Sequence, residues 1–223
     1  MSAYRIYLIR HGLTEANFSG KYIGATDVDL CEQGVASLLS LKEQYEYPNV
    51  GRVYSSPLKR SIQTARLIYP HMTPVTVDDL REYSFGEFEN KTAEELKELP
   101  SYRAWLDSAQ QTVPPHAEAP ADFSQRVLDG LDAVIRDMMK DKISDAAVFT
   151  HAGVITALLC ACGLPKRPYS EWAVEGGCGF TLSINAWLWG NERLFEVFTP
   201  LPYGKDVDSV MLDYQKELDT EEE

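Results

Sequence analysis

Histidine and cysteine are scarce in this chain, positive charge is in deficit, and no apolar run reaches membrane length. Each shortage excludes something. The four cysteines, Cys31, Cys160, Cys162 and Cys178, form no paired CxxC pattern, which argues against a zinc centre and for reduced thiols. Cys160 and Cys162 are two apart in an expected helix, so their side chains point to different sides. With 21 Lys and Arg against 34 Asp and Glu, the net charge of −13 disfavours nucleic acid as a partner and requires any anion site to be local. The terminal "ELDTEEE" reads as a solvated tail. No stretch approaches the roughly 18 apolar residues of a membrane span, and the start lacks a basic region followed by an apolar stretch and cleavage signal. These features predict a cytoplasmic protein that does not engage a membrane.

The 223 residues suit one large α/β domain, expected over 1–199, followed by an acidic tail over 200–223. Within that tail Val207, Val210, Met211, Tyr214 and Leu218 would make one stripe of a short helix. The segment 4–9 reads as a buried strand and 32–45 as a helix; "GRVYSS" and "PLKRSIQTARLIY" repeat the pair, with Pro57 at the helix start. A short strand "PVTVDD" precedes an irregular stretch, a helix over about 92–108 and a Pro-rich loop. Next come an amphipathic helix over roughly 121–140, a strand over 146–150, and a helix "HAGVITALLCACG" closed by Gly163 and Pro165. "FTLSINAWLWGNERLFEVFTP" alternates on both sides of "GN" and predicts a hairpin turning there. The order implies a three-layer α/β/α sandwich, its sheet mostly parallel, with a C-terminal antiparallel hairpin.

Two of the four histidines, His11 and His151, follow the two clearest buried strands. In an open parallel sheet ligands bind beyond the carboxyl ends of the strands, so these two loops can meet in one crevice. Either histidine alone has an ordinary reading as a hydrogen-bonding loop residue, and Arg60 alone reads as a solvated helix residue. Together with Arg10 they make an electropositive pocket whose guanidinium forks suit a phosphoryl group. The helix opened by "HAG" adds free backbone N–H groups, that of Ala152 included, and Gly24 in "YIG" permits close backbone approach to a ligand. There is no GxxxxGK[ST] cradle and no cluster of metal-binding carboxylates, so no metal or other cofactor is expected.

"LIRHGLTEAN", "SSPLKRSIQTA", "LREYSFGEFEN" and "THAGV", in that order, resemble the histidine phosphatase superfamily, also called phosphoglycerate mutase-like, across residues 4–198. The resemblance implies that His11 is the nucleophile and becomes a transient phosphohistidine, with Arg10, Arg60 and His151 on the non-bridging oxygens and Asn17 adding a hydrogen bond. It implies that Glu82, four residues before Gly86, is the proton donor and acceptor, in preference to Glu87 and Glu89. Gly12 is expected to let the backbone turn tightly beneath the phosphate. "HAEAPADFSQRV" matches a further family element in Glu118 and Arg126 but lacks its glycine and serine, leaving Glu118 either at the site rim or as a loop charge.

Within the family, mutases carry an insertion with extra cations before the second histidine. Here the interval 90–125 is short and holds only Lys91, Lys97 and Arg103. That favours a phosphatase acting on a small phosphorylated metabolite, with α-ribazole 5′-phosphate the nearest resemblance. Tyr83, Phe85, Phe88, Tyr102 and Trp105 would supply a flat rim, about half of them being core instead. Phosphoglycerate mutase activity and a non-catalytic phospholigand-binding protein remain the alternatives, and the sequence leaves a homodimer open.

Overall fold

The first strand is apolar on both of its faces. Ile6 and Leu8 lie in one core cluster while Tyr7 and Ile9 lie in the other, so β1 (Ala3–Arg10) must be covered by helices on two sides. The computed structural model describes residues 3–108 and 112–204. After β1 come α1 (Glu15–Phe18), α2 (Glu32–Gln44), β2 (Tyr45–Glu46), β3 (Arg52–Ser55), α3 (Lys59–Ile68) and β4 (Val75–Thr76). Then follow α4 (Ala93–Leu96), α5 (Pro100–Asp107), α6 (Pro120–Asp141), β5 (Asp145–Thr150), α7 (Ala152–Cys162) and β6 (Gly163–Leu164). The described chain ends with β7 (Gly179–Asn185), α8 (Ala186–Glu192), β8 (Phe195–Leu201) and β9 (Tyr203–Gly204).

Seven strands form a mixed sheet in the order β4-β3-β5-β1-β7-β8-β6. β4, β3, β5 and β1 run parallel, whereas β7 is antiparallel to both β1 and β8. Helices α2 and α3 cover one face through Leu38, Ala65 and Ile68. On the other face α7 packs beside α6, which buries Phe123, Val127, Leu131, Val134, Ile135 and Met138 along one stripe. Each such side chain removed from water contributes about 1.5–3 kcal/mol. This is the α/β/α sandwich that the element order implied.

Local chemistry changes some details. The expected helix over 92–108 is two helices, because Pro100 starts α5 and has no N–H with which to continue α4. The strands β7 and β8 pair antiparallel as expected, but Gly190 and Asn191 do not form the turn between them. They lie inside α8, which starts where Asn185 Oδ1 accepts the N–H groups of Trp187 and Leu188 and ends at left-handed Arg193. β8 continues to Leu201, and β9 pairs with β2, so described structure reaches Gly204; the helix expected in the tail lies outside the described residues.

Candidate active site

Three parallel strands place the site. Arg10 pairs in register with Thr150, and the next residue on each chain segment is a histidine. His11 N–H donates to the Thr150 carbonyl at 2.9 Å, and Ser56 N–H donates to the Phe149 carbonyl at 2.8 Å. The carboxyl ends of β1, β5 and β3 therefore present His11, His151 and Ser56 side by side. The two imidazole centroids are 5.1 Å apart, with the rings tilted by 61°. Arg60 arrives from the first turn of α3, where it is buried and sets its Nε 3.2 Å from His11 Nε2.

The ring of His11 is polarised for attack. Its Nδ1 lies 2.6 Å from the Gly12 carbonyl, which can only accept, so Nδ1 carries the proton and Nε2 keeps its lone pair. Burial pushes the imidazole pKa down to about 3, and the Arg60 and Arg10 cations push it the same way. A neutral, correctly protonated imidazole is what an attack on phosphorus requires. Gly12 serves this arrangement through packing. Its φ is not left-handed, and the constraint is packing, since a Cβ there would lie 2.7 Å from Leu38 Cδ1. Its N–H is held by Thr64 Oγ1 at 2.9 Å.

The guanidinium groups are positioned by backbone carbonyls. Arg60 gives Nη1 to the Thr26 carbonyl and Nη2 to the Gly24 carbonyl, both at 2.7 Å, and Arg10 gives Nη1 to the Val174 carbonyl at 2.6 Å. Desolvation lowers the pKa of both arginines. Among the described residues neither forms a direct ion pair, although Glu82 and Glu175 act on Arg10 from a distance and Glu82, Asp27 and Glu89 act on Arg60, so both cations can still be relieved by a bound anion. Arg10 Nε and His151 Nδ1 are, besides, buried without a hydrogen-bond partner. Burial, with the neighbouring His11 and the arginines, holds His151 well below the usual imidazole pKa, so it too is neutral.

Glu82 reaches the start of α7, two residues beyond His151. Its Oε1 accepts the Tyr83 N–H at 2.8 Å, and its Oε2 accepts the Gly153 N–H at 2.9 Å at the start of α7. Burial raises its pKa despite those donors and both arginines, which favours the protonated acid. Glu87 is exposed, and Glu89 does different work. The Glu89 carboxylate accepts from the N–H groups of Gly24, Ala25, Thr26 and Phe85 and from the Thr26 hydroxyl, bracing the loop whose carbonyls hold Arg60. The Gly24 N–H is thus taken by Glu89. Gly24 contributes instead through its carbonyl to Arg60, and it must be glycine because a Cβ would lie 1.7 Å from the Tyr83 carbonyl oxygen.

Other expected residues are placed as follows. Asn17 is exposed on α1, and its Oδ1 accepts from Thr14 N–H at 2.9 Å and Thr14 Oγ1 at 3.0 Å. Ala152 is the first residue of α7, next to His151. Glu118 is a bidentate partner of Arg126, at 2.6 and 2.8 Å. That arginine also donates to the carbonyls of Asp79, Arg81 and Glu82, so the pair clamps the acid-bearing loop. Gly153 and Glu89 escaped sequence reasoning, although the glycine directly after "HA" was a signal. A Cβ at Gly153 would lie 2.4 Å from Glu82 Oε1. Gly153→Ala is therefore expected to displace the acid and lower kcat on alkyl phosphates by about 10²-fold, with thermal stability nearly kept. Parallel turnover and melting measurements check this.

Phe88, Tyr102 and Trp105 are buried in a cluster of their own with Leu96, while Tyr83 and Phe85 are half-buried. Only the latter two of the five aromatics remain for a rim.

The family model described as the histidine phosphatase superfamily (branch 1) matches residues 6–193. The chain is 30% identical over 192 residues to the adenosylcobalamin/alpha-ribazole phosphatase of Salmonella typhimurium, covering 81% of this chain and 90% of that protein. It is 29% identical over 188 residues to the glucosyl-3-phosphoglycerate phosphatase of Mycolicibacterium vanbaalenii, covering 80% and 82% of the two chains. The crystal structure of the alpha-ribazole phosphatase from Shigella flexneri aligns with a TM-score of 0.71 at 26% identity, covering 87% of this chain and 95% of that one. Four motifs in order, their convergence at one sheet edge and the match over residues 6–193 agree, and this chain belongs to the histidine phosphatase superfamily.

Proposed function

We propose that the chain is a phosphoric monoester hydrolase that works through a phosphohistidine on His11. The carrying observation is the meeting of a neutral, Nδ1-protonated His11 with the buried Arg60 and the part-buried Arg10, neither of which forms a direct ion pair among the described residues. In the first displacement His11 Nε2 bonds to phosphorus as the ester P–O bond breaks, and Glu82 gives its proton to the departing alkoxide. In the second, Glu82 as carboxylate takes a proton from water. The water oxygen bonds to phosphorus, the P–N bond breaks, and phosphate leaves with His11 restored. Arg10, Arg60 and His151 carry the charge on the non-bridging oxygens, with Asn17 and Ala152 N–H at the edge.

A phosphatase is favoured over a mutase by the fate of the spare cations. Lys97 pairs with Glu94, Arg103 pairs with Glu98, and Lys91 caps the Glu87 carbonyl at 2.7 Å, so each of the three is exposed and has a local partner. The substrate is then a small phosphorylated metabolite with an uncharged alcohol, and the relatives' names make α-ribazole 5′-phosphate the first candidate. Four free thiols and the lack of a helix long enough to cross a membrane, among the described residues, support a cytoplasmic setting.

A panel of α-ribazole 5′-phosphate, phosphoserine, 3-phosphoglycerate and sugar phosphates, ranked by kcat/KM with EDTA present, tests the reading. The nucleoside-like ester is expected to lead by about tenfold or more, since specific contacts of one to three kcal/mol act on that scale. A flat profile would count against a dedicated role in cobalamin synthesis, and activity that needs a metal would sink the mechanism.

A further inference from the structure

Ser56 has no part in the chemistry described so far, yet it is fully buried in the middle of the site. Its Oγ lies 2.8 Å from His151 Nε2, closer than the other hydroxyl near that nitrogen, Ser61 Oγ at 3.5 Å. The serine is held on several sides. Its N–H is bound to the Phe149 carbonyl, its own carbonyl accepts from Ser55 Oγ at 2.8 Å, and its Oγ accepts the Leu58 N–H at 3.4 Å. The Leu58 N–H occupies one of the two lone pairs on this oxygen, and the hydroxyl proton is available to be donated.

His151 itself is fully buried, and Nε2 has Ser56 while Nδ1 has no partner. A neutral imidazole carries one proton, and its position decides what the ring offers a ligand. A proton on Nε2 would leave Nδ1 as a bare lone pair, an acceptor set against phosphoryl oxygens that only accept. A proton on Nδ1 makes the orphaned nitrogen a donor. Arg10 Nε is likewise a buried donor with no acceptor, so the two await the same kind of atom.

We infer that Ser56 is a positioning residue that donates its hydroxyl proton to His151 Nε2, fixes the His151 proton on Nδ1, and so makes His151 a neutral hydrogen-bond donor to the phosphoryl oxygens. His151 then carries no proton between substrate and water, and Glu82 does that alone. This rests on the phosphatase reading of the site, and the two can fail separately.

The test is ¹⁵N NMR of histidine-labelled full-length protein, in which only four histidines, His11, His71, His116 and His151, contribute. Assignment comes from comparison with single-histidine variants. At neutral pH wild-type His151 is expected to show a protonated Nδ1 and an unprotonated Nε2. In Ser56→Ala the proton is expected to move at least partly to Nε2, and the inhibition constant of inorganic phosphate to rise about tenfold or more, as when a buried hydrogen bond to a charged group is spoiled. Ser56→Thr, which keeps the hydroxyl, should restore the wild-type tautomer, and Ser61→Ala should leave it alone. A protonated Nε2 in wild-type protein overturns the inference even if no variant folds. So does a Ser56→Ala protein with unchanged tautomer and unchanged phosphate inhibition. Failure of wild-type protein to bind phosphate at all would instead overturn the functional reading beneath it.

Discussion

Replacing His11 with alanine is expected to lower kcat for phosphate monoesters by on the order of 10⁴-fold or more, the scale on which removal of a covalent nucleophile acts in other hydrolases. The cause is specific to one atom. His11 Nε2 carries the lone pair of a ring whose proton is tied to the Gly12 carbonyl, and that lone pair accepts a hydrogen bond from Arg60 Nε at 3.2 Å, a donor that a phosphoryl group would draw away. The alanine variant keeps Arg10, Arg60 and the loops that hold them, so it should still bind inorganic phosphate. Steady-state turnover together with phosphate titration separates these effects. Residual turnover within tenfold of wild type would mean that water attacks the ester directly.

Glu82→Gln is expected to lower kcat/KM, which reports only the steps up to departure of the alcohol, by about 10²–10⁴-fold on alkyl phosphates, the usual contribution of a general acid, and much less on aryl phosphates whose leaving group needs no proton. The amide keeps an acceptor for the N–H groups of Tyr83 or Gly153 but has no acidic proton to give. The pH profile supplies a second readout. His11 must be neutral, and its pKa is depressed to about 3, so activity falls only as pH drops toward that value. Glu82 must be protonated, and its pKa is raised, so activity falls as pH climbs through a point above the ordinary carboxylate range. The basic limb for alkyl substrates should vanish in Glu82→Gln while the acid limb stays. Equal losses on alkyl and aryl esters would argue against Glu82 as the leaving-group acid.

Strand and helix periods exposed the layers, because β1 and β5 are buried on both faces and α6 carries one apolar stripe. Placement of His11 and His151 could be read from the rule that parallel strands end at a common edge. The connection between β7 and β8 was not legible, since "GN" carries a turn signal while the deciding contact is the Asn185 side chain capping α8 five residues earlier. The supports of the site were hidden for a related reason. Glu89 bracing residues 24–26 and Gly153 making room for Glu82 are contacts between segments more than 60 residues apart, which no local pattern records. Gly24 reads in the sequence as a place of close backbone approach, and Tyr83 and Glu89, distant in sequence, are what lie against it.

The central claim is a covalent bond between His11 and phosphorus, and rapid-quench trapping with a ³²P-labelled monoester tests it most directly. Quenched in base, where phosphohistidine survives, wild-type protein is expected to hold up to about one labelled phosphoryl group per chain, consistent with a single nucleophile. The label should map to the peptide containing His11, disappear on acid treatment, and be missing from His11→Ala. Hydrolysis that proceeds with no trapped label at any quench time, or a label on a different residue, would contradict the account.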